Sequence, residues 1–181
     1  MTRMNAGAAT TIERFSADDL AAHIGELGAL LHACVHSGAS INFVLPYTVD
    51  DSEAFWRQEV LPPVRAGSRI LLVARQGGRI AGTVQLAFDT PPNQAHRAEV
   101  SKLLVHPDFR RRGIARALMA ELERLAGGLG RRLLTLDTRT GDSAEPLYAS
   151  LGYQTAGVIP GYCRDPIEDR LDSTTIMYKA L

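Results

Sequence analysis

The chain is short of several things. It has only two cysteines in 181 residues, Cys34 and Cys163. They form no Cys-x-x-Cys and no metal-ligand spacing, which suits a reducing compartment or indifference to redox. No hydrophobic run is long enough to span a bilayer, and the opening MTRMNAGAATT carries no apolar stretch of signal-peptide length, so a cytoplasmic protein without a membrane partner is expected. Excess charge of one sign is also missing: 20 Lys plus Arg balance 20 Asp plus Glu. That balance argues against a general nucleic-acid binder. Internal repeats, low-complexity tracts and long linkers are absent. One domain is therefore expected over residues 11–181, after a disordered stretch at 1–10.

What is present centres on Arg97 to Met119, RAEVSKLLVHPDFRRRGIARALM. Ala98 to Val105 reads as a strand. Strict alternation would put Glu99, Ser101, Leu103 and Val105 on one face and Val100, Lys102 and Leu104 on the other. Pro107 has no N–H to donate and ends the pairing. Ile114, Leu118, Leu122 and Leu125 then recur at helical spacing. A glycine turn that opens a helix presents unpaired N–H groups at the positive end of the helix dipole, which suits a phosphate. Gly113 would let a ligand approach the backbone, and Arg110, Arg111 and Arg112 add charge.

Around that centre the chain reads as strand, two helices, three strands, helix, strand, helix, two strands. Thr11 to Phe15 is the first strand. Ser16 should cap a helix carrying the stripe Leu20, Ile24, Leu27, Leu31 and Val35. His32 and His36 lie four apart on it, but no third ligand is in sight and no metal is expected. Gly38 to Asp50 is too apolar for a plain solvent loop and should pack under the domain, line a pocket, or both. Asp51 or Ser52 should cap the second helix, Trp56 should be core, and Pro62-Pro63 should end or kink the helix. Arg69–Arg75 and Ile80–Asp89 form a hairpin around Gly77-Gly78. Arg132–Asp137, a short helix over Ala144 to Leu151, and strands at Tyr153–Val158 and Thr174–Lys179 follow, the last two separated by a loop from Ile159 to Asp172.

Arg110, Gly113 and Ala115 fit the pattern Arg/Gln-x-x-Gly-x-Gly/Ala, which resembles the acyl-CoA signature of the GNAT N-acetyltransferases. The element order is similar to that family's, and Ala144-Glu145-Pro146-Leu147-Tyr148 with Leu151-Gly152-Tyr153 resembles its second motif. Where the family often has Asn, seven residues before the tyrosine, this chain has Gly141, so that contact is not carried over. A narrower resemblance, to the tabtoxin-resistance acetyltransferases, rests on SGAS, RAEVSKL, LLTLDT, VIPGYC and TTIMYK; the loop Tyr47 to Glu53 has no counterpart there.

The resemblance implies an α+β, three-layer GNAT fold with a mixed, mostly antiparallel sheet of about seven strands and about four helices. It implies acetyl-CoA as cosubstrate, bound by Leu103, Leu104 and Val105 and by Arg110, Arg111, Arg112, Gly113, Ile114, Ala115 and Arg116. Acetyl transfer needs an amine that has lost its proton, and it benefits from a donor to the leaving sulfur. Glu99 and Asp137, acids in otherwise apolar strands, are the candidate bases, acting through water or raised by burial; ion pairing of Glu99 with Arg97 or Lys102 is the alternative. Tyr148 is the candidate acid, and His106, before Pro107, is expected to be positional. The implied reaction is acetylation of a small-molecule primary amine, such as an amino-acid-like toxin or antibiotic. Protein or polyamine acetylation, or a non-catalytic acyl-CoA-binding module, remain alternatives, and a homodimer is left open.

Overall fold

The computed structural model describes residues 9–181. The expected disordered stretch lies mainly outside them; Thr10 already opens the first strand. Strand β1 (Thr10–Phe15) leads into α1 (Ala17–Ala22) and α2 (Ile24–His36), which meet at His23. Ser16 caps α1 as expected. Its hydroxyl accepts from the Asp19 amide, and the Asp19 carboxylate accepts from the Ser16 amide in return.

The second helical stretch, α3 (Val49–Phe55), starts earlier than the sequence suggests. Thr48 is its cap, and Asp51, expected as the cap, sits three positions on and completes a capping box. The proline pair does not end this helix. The chain widens through one π-type turn at Trp56–Val60 and continues as α4 (Leu61–Arg65), because Pro62 has no N–H to keep the ordinary ladder. Trp56 is fully buried, and its indole N–H donates to the Leu27 carbonyl at 2.9 Å.

Strands β2 (Arg69–Gln76), β3 (Arg79–Ala87) and β4 (Arg97–Val105) form an antiparallel meander. Helix α5 (Ile114–Gly128), β5 (Leu133–Arg139), α6 (Ala144–Ser150), β6 (Gln154–Arg164) and β7 (Leu171–Ala180) complete the chain. The seven strands lie in the order β1-β2-β3-β4-β5-β7-β6, and β4–β5 is the parallel neighbour pair. Strand β2 is buried on both faces, which explains its unbroken apolar run. Ile70 and Leu72 join the core under α5, with Leu118, Met119 and Leu122. Leu71 and Val73 join a second core under α1–α4, with Leu27, Leu31 and Trp56.

The final hairpin differs from expectation. The segment read as a loop from Ile159 to Asp172 is mostly strand, leaving a turn at 165–170. Pro160 is tolerated because β6 is an edge strand and its register shifts between Ile159 and Cys163.

Candidate active site

Strands β4 and β5 pair only at Arg97–Leu133, Ala98–Leu134 and Glu99–Thr135. Both continue beyond that point, so a cleft opens between their C-terminal halves. In an open sheet such a parting leaves backbone N–H and C=O groups free for a ligand.

Strict alternation fails within β4. The register against β3 shifts between Thr83 and Gln85, and Lys102 takes a left-handed φ of 50°. This bulge puts an extra residue on one face. Leu103 and Val105 therefore pack with Ala98 and Val100 against the α5-side core, while Leu104 joins the core under α1–α4. The expected grouping of Leu103 and Val105 with Glu99 is thus corrected. Gly82 makes room for the distortion, since a Cβ there would come within 2.6 Å of the Leu104 carbonyl oxygen.

At the end of β4 the chain makes a tight turn at Pro107–Phe109 and reaches α5. His106 is structural, as expected: its ring Nδ1 accepts from the Asp108 amide at 3.2 Å. Arg111 and Gly113 are both left-handed, with φ of 61° and 79°. The first backbone bond of the helix runs from the Ala117 amide to the Gly113 carbonyl. Among the described residues, the six amides from Arg111 to Arg116 donate to no backbone or side-chain acceptor. Nothing lies within 4 Å of where a Gly113 Cβ would sit. Such a cradle fits a pyrophosphate.

The arginines divide the work differently from the sequence reading. Arg110 donates to the Ser37 hydroxyl at 2.7 Å and to the Val105 carbonyl, tying the loop to the end of α2. Arg112 donates to the Gln76 side chain at 3.0 Å and the Asp108 carbonyl at 2.8 Å, and lies over Phe109. Arg116 donates to the Ser150 hydroxyl. Of the four, Arg111 keeps its guanidinium unengaged within the described residues. The loop is thus held in shape by arginines, and its ligand-facing surface is largely backbone.

The three candidate catalytic residues lie on β4, β5 and α6. Tyr148, on α6, is buried among the α5-side core residues. Burial, then the negative charges of Asp137 and Asp142, raise its phenol well above the ordinary value. The group is thereby kept neutral as a donor, and full proton transfer to a thiolate becomes less balanced than an ordinary phenol would allow. Asp137 is exposed, and its Oδ2 accepts from the Thr174 hydroxyl at 3.2 Å. The Glu99 side chain is 57% exposed, 4.0 Å from the Arg97 guanidinium. Exposure leaves the water-mediated route for both carboxylates and removes the burial route. Asp137 lies near Tyr148 and Lys102, and Glu99 lies near Lys102, close enough for their charges to act on these groups.

The Gly38–Asp50 segment does both things expected of it. Phe43 and Leu45 pack on the core under α1–α4, and Phe43, Tyr47 and Phe55 line a cavity of about 490 Å³. Arg139 staples this cover. Its guanidinium reaches the Gly38 carbonyl at 3.2 Å, Asp165 at 3.1 Å and Asp142 at 3.3 Å. The Leu45 amide donates to the Pro166 carbonyl at 2.9 Å. His32 and His36 stack with ring centroids 4.0 Å apart, and His36 Nε2 bonds the Tyr47 carbonyl. The network around Arg139 and the placement of Lys102 had no signature in the sequence, since their partners are far apart along it.

The family model described as "Acetyltransferase (GNAT) family" matches residues 37–153. A protein of Azospirillum brasilense, an uncharacterized N-acetyltransferase in the hisH-hisA intergenic region, is 34% identical over 114 residues, 62% of this chain and 66% of that protein. This chain thus spans a little under two thirds of that relative's length in the match. An N-acetyltransferase of Staphylococcus aureus Mu50 superposes with a TM-score of 0.77 at 18% identity, covering 96% of this chain and 99% of the other. The protein yncA of Salmonella typhimurium, solved with its cofactor acetyl-CoA, gives 0.76 at 20% identity, covering 96% and 94%. Such identities speak for the fold, and the matched family model settles membership: this chain belongs to the GNAT acetyltransferase family.

Proposed function

We propose that the protein is an acetyl-CoA-dependent N-acetyltransferase acting on a primary amine of a small molecule, an amino-acid-like toxin or antibiotic of the tabtoxinine-β-lactam kind, by direct attack in a ternary complex. One observation carries the reading: β4 and β5 part after the Glu99–Thr135 pair, six amides at the start of α5 are open, and Asp137 lies near enough to Tyr148 to act on its phenol. The diphosphate of acetyl-CoA would lie on the amides of Arg111 to Arg116, and the pantetheine would run along Leu103, Leu104 and Val105. Glu99 or Asp137 takes the amine's proton through water. The amine nitrogen attacks the thioester carbonyl, the carbon–sulfur bond breaks, and the Tyr148 hydroxyl donates to the sulfur as its charge grows. Holding both reactants in one cleft supplies much of the acceleration. The open pocket lined by Phe43, Tyr47 and Phe55 supports an acceptor with an apolar body. Both cysteines are free, which supports work in the cytoplasm.

The test is a thiol-release assay with acetyl-CoA over a panel of amines that includes β-lactam amino acids, polyamines and peptides. Turnover on amino-acid-like amines is expected. Turnover confined to peptides or polyamines would overturn the acceptor assignment, and binding of acetyl-CoA without turnover on any amine would overturn the enzyme reading.

A further inference from the structure

Lys102, on β4, carries an ammonium that meets aromatic rings and no hydrogen-bonding partner among the described residues. Its Nζ lies 5.7 Å from the ring centroids of both Phe43 and Phe55. Its carbonyl accepts from the Thr83 hydroxyl, but its ammonium enters no hydrogen bond or ion pair among the described residues. Burial is the largest influence on its ammonium and lowers its pKa. The charges of Asp137 and Glu99 act the other way, and that of Arg69 adds to the lowering. A cation shielded from water needs an anion close by, and aromatic faces replace only part of its hydration.

The groups behind it make the imbalance larger. Gln85 pairs across the sheet with Ser101, the residue before Lys102. Its side-chain carbonyl accepts from Arg69 at 3.1 Å, which commits its acceptor and leaves its amide Nε2 buried without a partner. Arg69 Nε is also buried and unpartnered. The stretch from Arg69 through Gln85 to Lys102 is therefore rich in donors and poor in acceptors. The left-handed backbone at Lys102 is strained for a residue with a Cβ, and such conformations cluster where a side chain must be aimed. Here the bulge turns Lys102 towards aromatic rings of the open pocket lined by the 38–50 segment and α3.

We propose that Lys102 receives a carboxylate of the acceptor, so that the enzyme selects amines that carry an anionic group next to an apolar body. This deepens the transferase reading and rests on it for the place where the acceptor arrives. Phe43, Tyr47 and Phe55 would hold the apolar body. Asp51 and Glu59 also line the pocket, Asp51 being committed to the Thr48 cap, and the Lys102 ammonium is the cation that lies over its rings. Asp137 and Glu99 stay on the amine's side of the ligand. Arg69 and Gln85 are positioning residues that keep acceptors away from the ammonium.

The experiment uses matched probes: L-methionine with L-methioninamide, L-leucine with L-leucinamide, and a β-lactam amino acid with its amide. Kinetics are compared between the full-length protein, Lys102→Met and Lys102→Arg, with melting curves to confirm folding. The ratio of kcat/KM for acid over amide should fall roughly 10- to 100-fold in Lys102→Met and recover in part in Lys102→Arg. Comparing this ratio between parent and variant cancels the different basicities of the two amines. Independently of turnover, NMR of the Lys102 ε-CH2 should show its titration moving up when an acid is bound and not when the amide is. Turnover of neutral amines with an acid-over-amide ratio unchanged by Lys102→Met would overturn the carboxylate inference and leave the transferase standing. Acids that move the Lys102 titration without any acetyl transfer would overturn the transferase and leave the carboxylate site standing. Failure of every acid to bind overturns the carboxylate site.

Discussion

The two ends of the β4–β5 cleft are built by different means. At the phosphate end the ligand surface is a row of backbone amides within six consecutive residues, Arg111 to Arg116, and the side chains around it mostly hold the loop. At the proposed acceptor end the groups are side chains from several elements, Phe43, Phe55, Glu99, Lys102, Asp137 and Tyr148. A diphosphate is the same in every acyl-CoA, so a local motif suffices to bind it. An acceptor must be told from other amines, and that takes groups of different chemistry converging from several elements. Damage at the first end should therefore act through conformation, and damage at the second through chemistry.

The largest effect is expected from Gly113→Val. A β-branched residue at a φ of 79° is strained, and its side chain would enter the space above the open amides. Affinity for acetyl-CoA should fall roughly 100-fold or more, by calorimetry. Arg110→Ala and Arg112→Ala, which loosen the loop and leave the amides in place, should cost only about 3- to 10-fold, with a clear salt dependence. Equal losses in all three would mean that side-chain charge, not backbone, binds the phosphates.

Next in size is Tyr148→Phe. Its hydroxyl makes no hydrogen bond to the described residues, so the melting temperature should barely move. Turnover should drop roughly 100-fold, the lower part of the usual range for acid–base groups, because a thiolate leaves fairly well unaided. The Michaelis constant for acetyl-CoA should change less than turnover, since the contact strengthens as charge builds on sulfur. Full turnover in the folded variant would return this tyrosine to the core.

Glu99→Gln and Asp137→Asn should each lower turnover by about 10-fold, less than a buried base would, since in the proposed scheme these exposed carboxylates would act through water. Acetyl-CoA affinity should hold, and the loss should be greatest below the amine's own pKa. A flat, wild-type pH profile in both variants would remove the carboxylate bases from the scheme.

The smallest effect separates the acceptor cover from the chemistry. The amides of Glu168 and Ile167, with Arg170 and Arg139, hold the Asp165 carboxyl below the usual range. A depressed carboxyl stabilises the fold above its unfolded pKa of about 3.9, and that contribution disappears as pH falls through the folded value. Asp165→Asn should therefore lower the melting temperature at neutral pH, and the gap between variant and parent should close in acid. A gap that persists below the folded pKa would show that the carboxylate's charge is not what staples the turn at 165–170.

Local regularities survived the move from sequence to structure because they depend on neighbours a few residues away. The Ser16 cap, the helical stripe from Leu20 to Val35, the two-glycine hairpin and the glycine start of α5 are of this kind. The readings that failed depended on contacts across the fold. The face of Leu103 and Val105 was misread because the bulge at Lys102 is set against β3. The Ile159–Asp172 loop became strand because β7 pairs with it.

By itself, then, the sequence determined the order of elements, both cores' apolar periodicities and the phosphate cradle, all encoded in spacings shorter than about two helical turns. Only the tertiary structure decided where β4 and β5 part, which arginines are spent on holding the loop, and that Lys102 faces two aromatic rings without a counter-ion. The physical reason is range: capping and periodicity act along the chain, whereas burial and electrostatic pairing act through space between segments far apart in it.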